Sequence, residues 1–235
     1  MPRPSSFSTN NHILQSLPED DLKRMIPHLE RVELPQGMTV FETDETIKYV
    51  YFPNYAMISV VSSTESGQYA EAGVIGWEGI GGVEAVIGGD SSPNKHIIQL
   101  GGDGFRAPLP AARSEFERGG EFQRSILAFT RGLMAMMSQT ALCNRLHVAE
   151  QRLAKWLLMC HDRSPEDTMN ITQEFAALML GANRVTLTAA AGQLQDHGLI
   201  EYKRGRIRIL DRKALEAAAC ECYIRIRQEF NRNTG

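Results

Sequence analysis

The stretch Ile171–Ile209, ITQEFAALMLGANRVTLTAAAGQLQDHGLIEYKRGRIRI, constrains the fold more than any other part of the chain. Thr172 is a good helix N-cap, and Glu174 sits in the first turn, where the helix dipole favours a carboxylate. Phe175, Ala176, Met179 and Leu180 share one apolar face. Gly181 supplies the positive φ that ends a helix at little cost, and Asn183 can cap a second one. On that second helix Leu187, Ala190, Ala191 and Leu194 recur at the spacing of a buried face. Arg184, Val185, Thr188, Ala189 and Gly192 share another face, with Thr186 beside them. After Gly198, the run EYKRGRIRI places Ile200, Tyr202, Ile207 and Ile209 on strands and Lys203, Arg204 and Arg206 around a turn, with Arg208 on the return. Two short helices, a tight turn and a basic hairpin make a winged helix-turn-helix.

The chemistry of that pattern points to duplex DNA. The outward face of the second helix is slender and carries only Arg184 as a charge, which suits a groove roughly 12 Å wide. A basic hairpin beside it would rest on phosphates. The expected contacts are therefore Thr172, Asn183, Arg184, Val185, Thr186, Thr188 and Ala189, with Lys203, Arg204 and Arg206 from the wing. The ungapped string from Thr172 to Asp211 resembles the DNA-binding domain of the CRP/FNR superfamily of bacterial transcription regulators, above all in GLI followed by a short basic wing and RIRILD. The resemblance puts the family's recognition arginine at Arg184, whose forked donor matches guanine O6 and N7. The family often has Glu immediately after it and Arg four residues further on. Here Val185 and Ala189 stand in those places, which implies a different operator.

At 235 residues the chain suits two small domains. Its net charge of −3 is unevenly spread: residues 1–146 hold 12 basic and 17 acidic side chains, residues 147–235 hold 13 and 11. The basic footprint is thus local, and binding through charge alone is not expected. No apolar run approaches the ~18 residues of a membrane span, and the N-terminus lacks a signal-peptide core, so a cytoplasmic protein without a membrane partner is expected. The histidines are scattered, with no HExxH, GxSxG or paired-carboxylate arrangement, so no enzyme is expected. Cys143, Cys160, Cys220 and Cys222 fall in predicted helices without Cys-x-x-Cys spacing. They read as buried or idle thiols, Cys220-x-Cys222 as a redox sensor being the alternative, and no metal site is expected. The superfamily's iron–sulfur branch uses an N-terminal cysteine cluster. Residues 1–142 contain no cysteine, so no such cluster is expected.

Residues 12–31 carry a helical pattern through Ile13, Leu14, Leu17, Leu22, Met25, Ile26 and Leu29. From Val32 onward, short β-like runs separated by Gly, Pro and Asn turns recur every 8–12 residues, as in a sandwich or barrel. The resemblance implies a cyclic-nucleotide-binding-like β-roll, a double-stranded β-helix or jelly roll. In nucleotide-binding members a Gly-Glu pair meets the ribose and an Arg followed by a small residue clamps the phosphate. The corresponding positions here are Glu78 and Lys95, the latter followed by His96, and Ser138 completes the candidate effector set. Lysine lacks the bidentate fork of arginine, so a cyclic nucleotide is not expected. Lys95 and His96 also read simply as a loop charge and a surface residue at a strand start.

Residues 121–145 form the longest helical pattern. Ile126, Phe129, Leu133, Met136, Thr140 and Cys143 step as an a/d seam, read as a dimer interface, while Leu127, Met134, Met137 and Leu142 are left to pack on the β-roll. A further helix follows at 147–163, then a polar loop at 164–170, and a terminal helix at 211–230. The expected α+β architecture is a β-roll domain at 1–118, a dimerisation helix and hinge at 119–147, and a winged helix-turn-helix domain at 148–235. The expected protein is a homodimeric, CRP/FNR-type transcription regulator. Its expected partners are a pseudo-palindromic operator in double-stranded DNA, RNA polymerase and a small-molecule effector in the β-roll. The alternatives are a cyclic-nucleotide-responsive regulator and a sensing module that no longer depends on specific DNA binding.

Overall fold

The computed structural model describes residues 7–231. Part of the N-terminal stretch read as lacking a signal peptide, residues 1–6, lies outside them. The chain is α+β and divides into two compact units. One holds residues up to Val60 together with Val74–Leu133; the other holds Val61–Gly73 and everything from Met134.

The first unit begins with two short helices, α1 (His12–Ser16) and α2 (Glu19–Met25), and a 3-10 turn at Ile26–His28. The single helical segment expected at 12–31 is thus broken. Leu17 adopts φ −65°, ψ 132° because the residue before a proline is pushed out of the helical region. Strand β1 (Glu30–Leu34) already starts where the helix was expected to continue. The strands β2 (Thr39–Phe41), β3 (Tyr49–Pro53), β4 (Met57–Ser63), β5 (Tyr69–Ile75), β6 (Lys95–Leu100) and β7 (Gly102–Pro108) form two sheets, ordered β1-β7-β3 and β2-β6-β4-β5. Pairing of β7 with both β1 and β3 is antiparallel, with Phe105 opposite Arg31 and Phe52. Phe52, Met57, Ile58, Ile75, Ile80 and Ile98 are fully buried in its core. A one-turn helix α3 (Val83–Val86) and helix α4 (Leu109–Arg118) complete this part.

Helix α5 (Glu121–Leu146) corrects the sequence expectation about its two faces. The proposed dimer seam is the buried side: Ile126, Phe129, Leu133, Met136 and Cys143 are each at most 5% exposed, and Thr140 is half-buried. The face assigned to internal packing is the outer one, with Leu127, Met134 and Leu142 exposed. Both faces are apolar, so periodicity could not rank them. Packing decides: a Cβ on Gly79 would lie 2.1 Å from the Phe129 ring, so the missing side chain is what admits that ring. On length and composition α5 could cross a membrane, unlike any run anticipated from the sequence, but one of its sides is core.

The second unit contains α6 (Ala149–His161), α7 (Gln173–Met179) and α8 (Arg184–Asp196), a small sheet, and α9 (Arg212–Ala218) and α10 (Cys222–Asn231). The sheet is ordered β8-β10-β9, from β8 (Thr168–Asn170), β9 (Ile200–Lys203) and β10 (Arg206–Ile209). The supposed polar loop at 164–170 therefore supplies a strand, seated by buried Met169. Trp156 of α6 donates its indole N–H to Glu71 at 3.0 Å. The terminal segment is two helices rather than one, because Ala219 leaves the helical region with φ −73°, ψ 154°.

In the first unit, fully buried Asn11 donates through Nδ2 to the carbonyls of Pro53 and Gly79, at 3.1 and 2.8 Å, while its Oδ1 caps α1 at Leu14 N. Asn11→Ala strands these groups, each costing about 1–3 kcal/mol when buried unpaired. We expect a loss of at least about 2 kcal/mol, measured as a lower urea midpoint with an unchanged slope.

Candidate nucleic-acid interface

The helix pair forms as its caps dictate. Thr172 Oγ1 accepts from Phe175 N at 3.1 Å, and Asn183 Oδ1 accepts from Thr186 N at 2.8 Å. Gly181 turns the chain between the helices at φ 57°. Arg152 of α6 donates through Nη2 to the carbonyl of Leu180, placing a positive charge where α7 ends. Leu187, Ala190, Ala191 and Leu194 bury one side of α8. The opposite side presents Arg184, Val185, Thr186, Thr188 and Ala189 to solvent, with Val185 80% exposed.

Arg184 stands at the first turn of α8. Its Nη1 lies 3.2 Å from Glu174 Oε1, both side chains being about 70% exposed (69% and 72%). Such a pair is worth about 0–1 kcal/mol, so Glu174 parks the guanidinium without holding it. Thr188 Oγ1 donates to Gln173 Oε1 at 3.1 Å, which links the two helices across their outer edge. Gln173 was not anticipated, because that contact depends on the crossing of the helices.

The wing is a two-residue hairpin in which Lys203 faces Arg206. Both turn residues have positive φ, Arg204 at 51° and Gly205 at 75°, as a tight hairpin of this twist requires. Lys203, Arg204, Arg206 and Arg208 are all exposed and, with Thr168 and Glu201, line one open concavity. Tyr202 ties the hairpin to the start of α7: its hydroxyl donates to the carbonyl of Ile171 at 2.9 Å, and its N–H to Gln195 Oε1 at 2.7 Å. Burial, reinforced by Glu174, pushes its phenol up to about 12, so it remains a donor at neutral pH. All ten DNA-contact candidates thus lie on this one unit, on the two helices' outer edge and the wing.

The effector candidates do not form a phosphate clamp. Lys95 Nζ is 3.0 Å from Glu42 Oε1 and partly exposed. His96 is wholly buried, contrary to the surface reading, because β6 directs it against the Phe41 ring and toward Glu84, its Nε2 lying 3.5 Å from Glu84 Oε1. Burial opposes ionisation of Glu84, yet His96 and Ser92 together pull its pKa below the ordinary value. Glu78 Oε1 accepts from Gly76 N at 3.1 Å. Arg113 of α4 turns its guanidinium onto the carbonyls of Ala85, at 2.7 Å, and Gly89. Ser138 lies on the exposed side of α5, in the other unit.

Three of the four cysteines, of which the sequence reading linked only Cys220 with Cys222, meet in the second unit. Cys143 Sγ is 3.5 Å from Cys220 Sγ, and Cys222 Sγ is 3.4 Å from His147 Nδ1. All four donor atoms lie within 4.8 Å of one another. Hydrogen bonding from Cys220, supported by nearby Lys155, lowers the Cys143 thiol to about 5, while Cys220 is pushed up. Cys160 is buried but is not one of the four. Continuous-helix spacing hid this meeting: residues i and i+2 face different sides of a helix, and only the break at Ala219 lets Cys220 and Cys222 converge.

Replacing the cap, Asn183→Ala, is expected to cost about 1 kcal/mol, with Asn183→Ser close to wild type, in urea unfolding followed by the far-UV signal.

Residues 151–218 match the family model of the Crp-like helix-turn-helix domain. No curated protein matches the chain by sequence. Among solved structures, FixK2 from Bradyrhizobium japonicum superposes with a TM-score of 0.69 at 16% identity, covering 82% of this chain and 98% of that one. A CRP/FNR-family transcriptional regulator from Thermus thermophilus gives 0.65 at 19% identity, covering 81% and 98%. The c-di-GMP-responsive global regulator CLP from Xanthomonas campestris gives 0.65 at 12% identity, covering 83% and 100%. Residues 151–218 are thus a Crp-like helix-turn-helix domain, carried on a chain with the fold of CRP/FNR-type transcription regulators.

Proposed function

We propose that this protein is a cytoplasmic, non-enzymatic transcription regulator that binds a pseudo-palindromic operator as a homodimer and acts on RNA polymerase. The observation that carries this reading is Arg184, exposed at the first turn of a capped helix whose outer face is otherwise small and uncharged, with a four-cation wing in the same unit. In this reading Arg184 reads guanine, while Lys203, Arg204 and Arg206 hold phosphates. Val185 and Ala189 contribute only apolar contact, as to thymine methyls, so the operator differs from that of relatives with Glu and Arg there.

The dimer surface in this proposal is the exposed stripe of α5. Leu127, Arg131, Met134, Ser138, Ala141 and Arg145 all face outward and step by four and three residues, the spacing of a coiled-coil seam. This replaces the buried seam anticipated from sequence and leaves Ser138 facing the second copy. The domain scheme of 1–118, 119–147 and 148–235 remains part of the proposal. An effector in the β-roll would act by favouring one of two dimer arrangements. The engagement of Lys95 with Glu42, and of Arg113 with backbone carbonyls, argues for a ligand other than a cyclic nucleotide.

The test is a shift assay with promoter DNA and scrambled competitor. Arg184→Ala should lower discrimination by about 1–3 kcal/mol while sparing non-specific affinity. Lys203→Ala should weaken both alike and reduce the salt slope by about one. Unchanged specificity in Arg184→Ala would remove α8 as the reading helix. On the dimer surface, Met134→Glu should yield monomers in sedimentation velocity; persistence of the dimer would place the interface elsewhere.

A further inference from the structure

We propose that Cys143, His147, Cys220 and Cys222 form a closed, four-ligand site for a single thiophilic divalent cation, zinc, that ties the α5–α6 junction to the corner between α9 and α10. Tetrahedral zinc holds thiolate sulfur at about 2.3 Å and imidazole nitrogen at about 2.0–2.1 Å, which spaces neighbouring donors by roughly 3.5–3.8 Å. The observed separations of 3.5 Å between Cys143 and Cys220 and 3.4 Å between Cys222 and His147 match those edges, and the remaining pairs lie within 4.8 Å. A set this tight encloses one ion; a multi-iron cluster with bridging sulfides needs a wider cage.

The surroundings are those of a ligated site. His147 turns Nδ1 to the sulfurs, and its Nε2 lies 3.3 Å from Glu221 Oε2, the carboxylate–histidine arrangement that fixes tautomer and ring orientation at zinc. Gln139 Nε2 donates to Cys222 Sγ at 3.1 Å. Three thiolates and a dication leave one negative charge, and Lys155, only 5% exposed, stands close enough to act electrostatically on Cys143. Cys143, Cys220 and Cys222 are all buried, and four protein donors leave no open position, so the ion is structural rather than catalytic. The four donors all lie within the second unit, and their meeting is independent of the DNA-binding reading.

The experiment is elemental analysis of the full-length chain purified under reducing conditions without chelator, beside Cys220→Ser, His147→Asn and Glu221→Gln, with Cys160→Ser as control. One zinc per chain is expected in the wild type and the control, and none in the first two variants. Glu221→Gln should retain the ion but release it to a chromophoric chelator at 10- to 100-fold weaker affinity. Since the ligand variants could unfold, cobalt is also exchanged into the wild type, where tetrahedral thiolate-to-cobalt absorption is expected. Metal-free wild-type protein, a wild-type Cys143–Cys220 disulfide under these conditions, or cobalt spectra lacking thiolate bands would each overturn the proposal.

Discussion

Helix α5 can bury only one of its two apolar sides within its own chain, and much of the molecule follows from which side that is. The choice is made by close contact: the glycine at position 79 gives the Phe129 ring a place that any side chain would fill. Once Phe129 is seated, the 3.6-residue repeat carries Ile126, Leu133, Met136 and Cys143 inward as well. Leu127, Met134 and Leu142 are then left outside on a helix 26 residues long, the surface proposed above for a second copy. At its far end the same inward side delivers Cys143 to the two cysteines of the terminal corner.

Magnitudes separate the roles proposed for the charges of α8 and the wing. The chain as a whole is acidic, at −3, so long-range attraction to DNA is modest. In the proposed complex, affinity would come from the exposed cations of the wing, each displacing counterions from phosphate, and specificity from α8. The exposed Arg184–Glu174 pair is worth at most about 1 kcal/mol, whereas a bidentate guanine contact discriminates by about 1–3 kcal/mol. Exchange of the first for the second therefore runs downhill at a matching base and is close to neutral at others.

Local chemistry was legible in the sequence and long-range geometry was not. The caps Thr172 and Asn183, the turn at Gly181, the buried face of α8 and the basic hairpin are all short-range signals, and each stands as read. The family model and the solved structures bear out the CRP/FNR-type architecture around them. Long-range choices escaped: which side of α5 meets the core, the burial of His96 against Phe41, and the pairing of β8 with β10. The proline at 18 could have announced the break after α1. The break at Ala219 had no such warning, since neither Gly nor Pro marks it, and so the meeting of Cys143, His147, Cys220 and Cys222 had none either.

The central claim, that two copies of α8 read a symmetric operator, is tested most directly by selecting binding sites from a random-sequence pool of double-stranded DNA with the full-length protein. The account predicts recovered sequences that share two inverted half-sites with centres about one helical turn, roughly 10 base pairs, apart, and a guanine preference in each half. Recovery of no common sequence, or of a single half-site without its inverted partner, would contradict it.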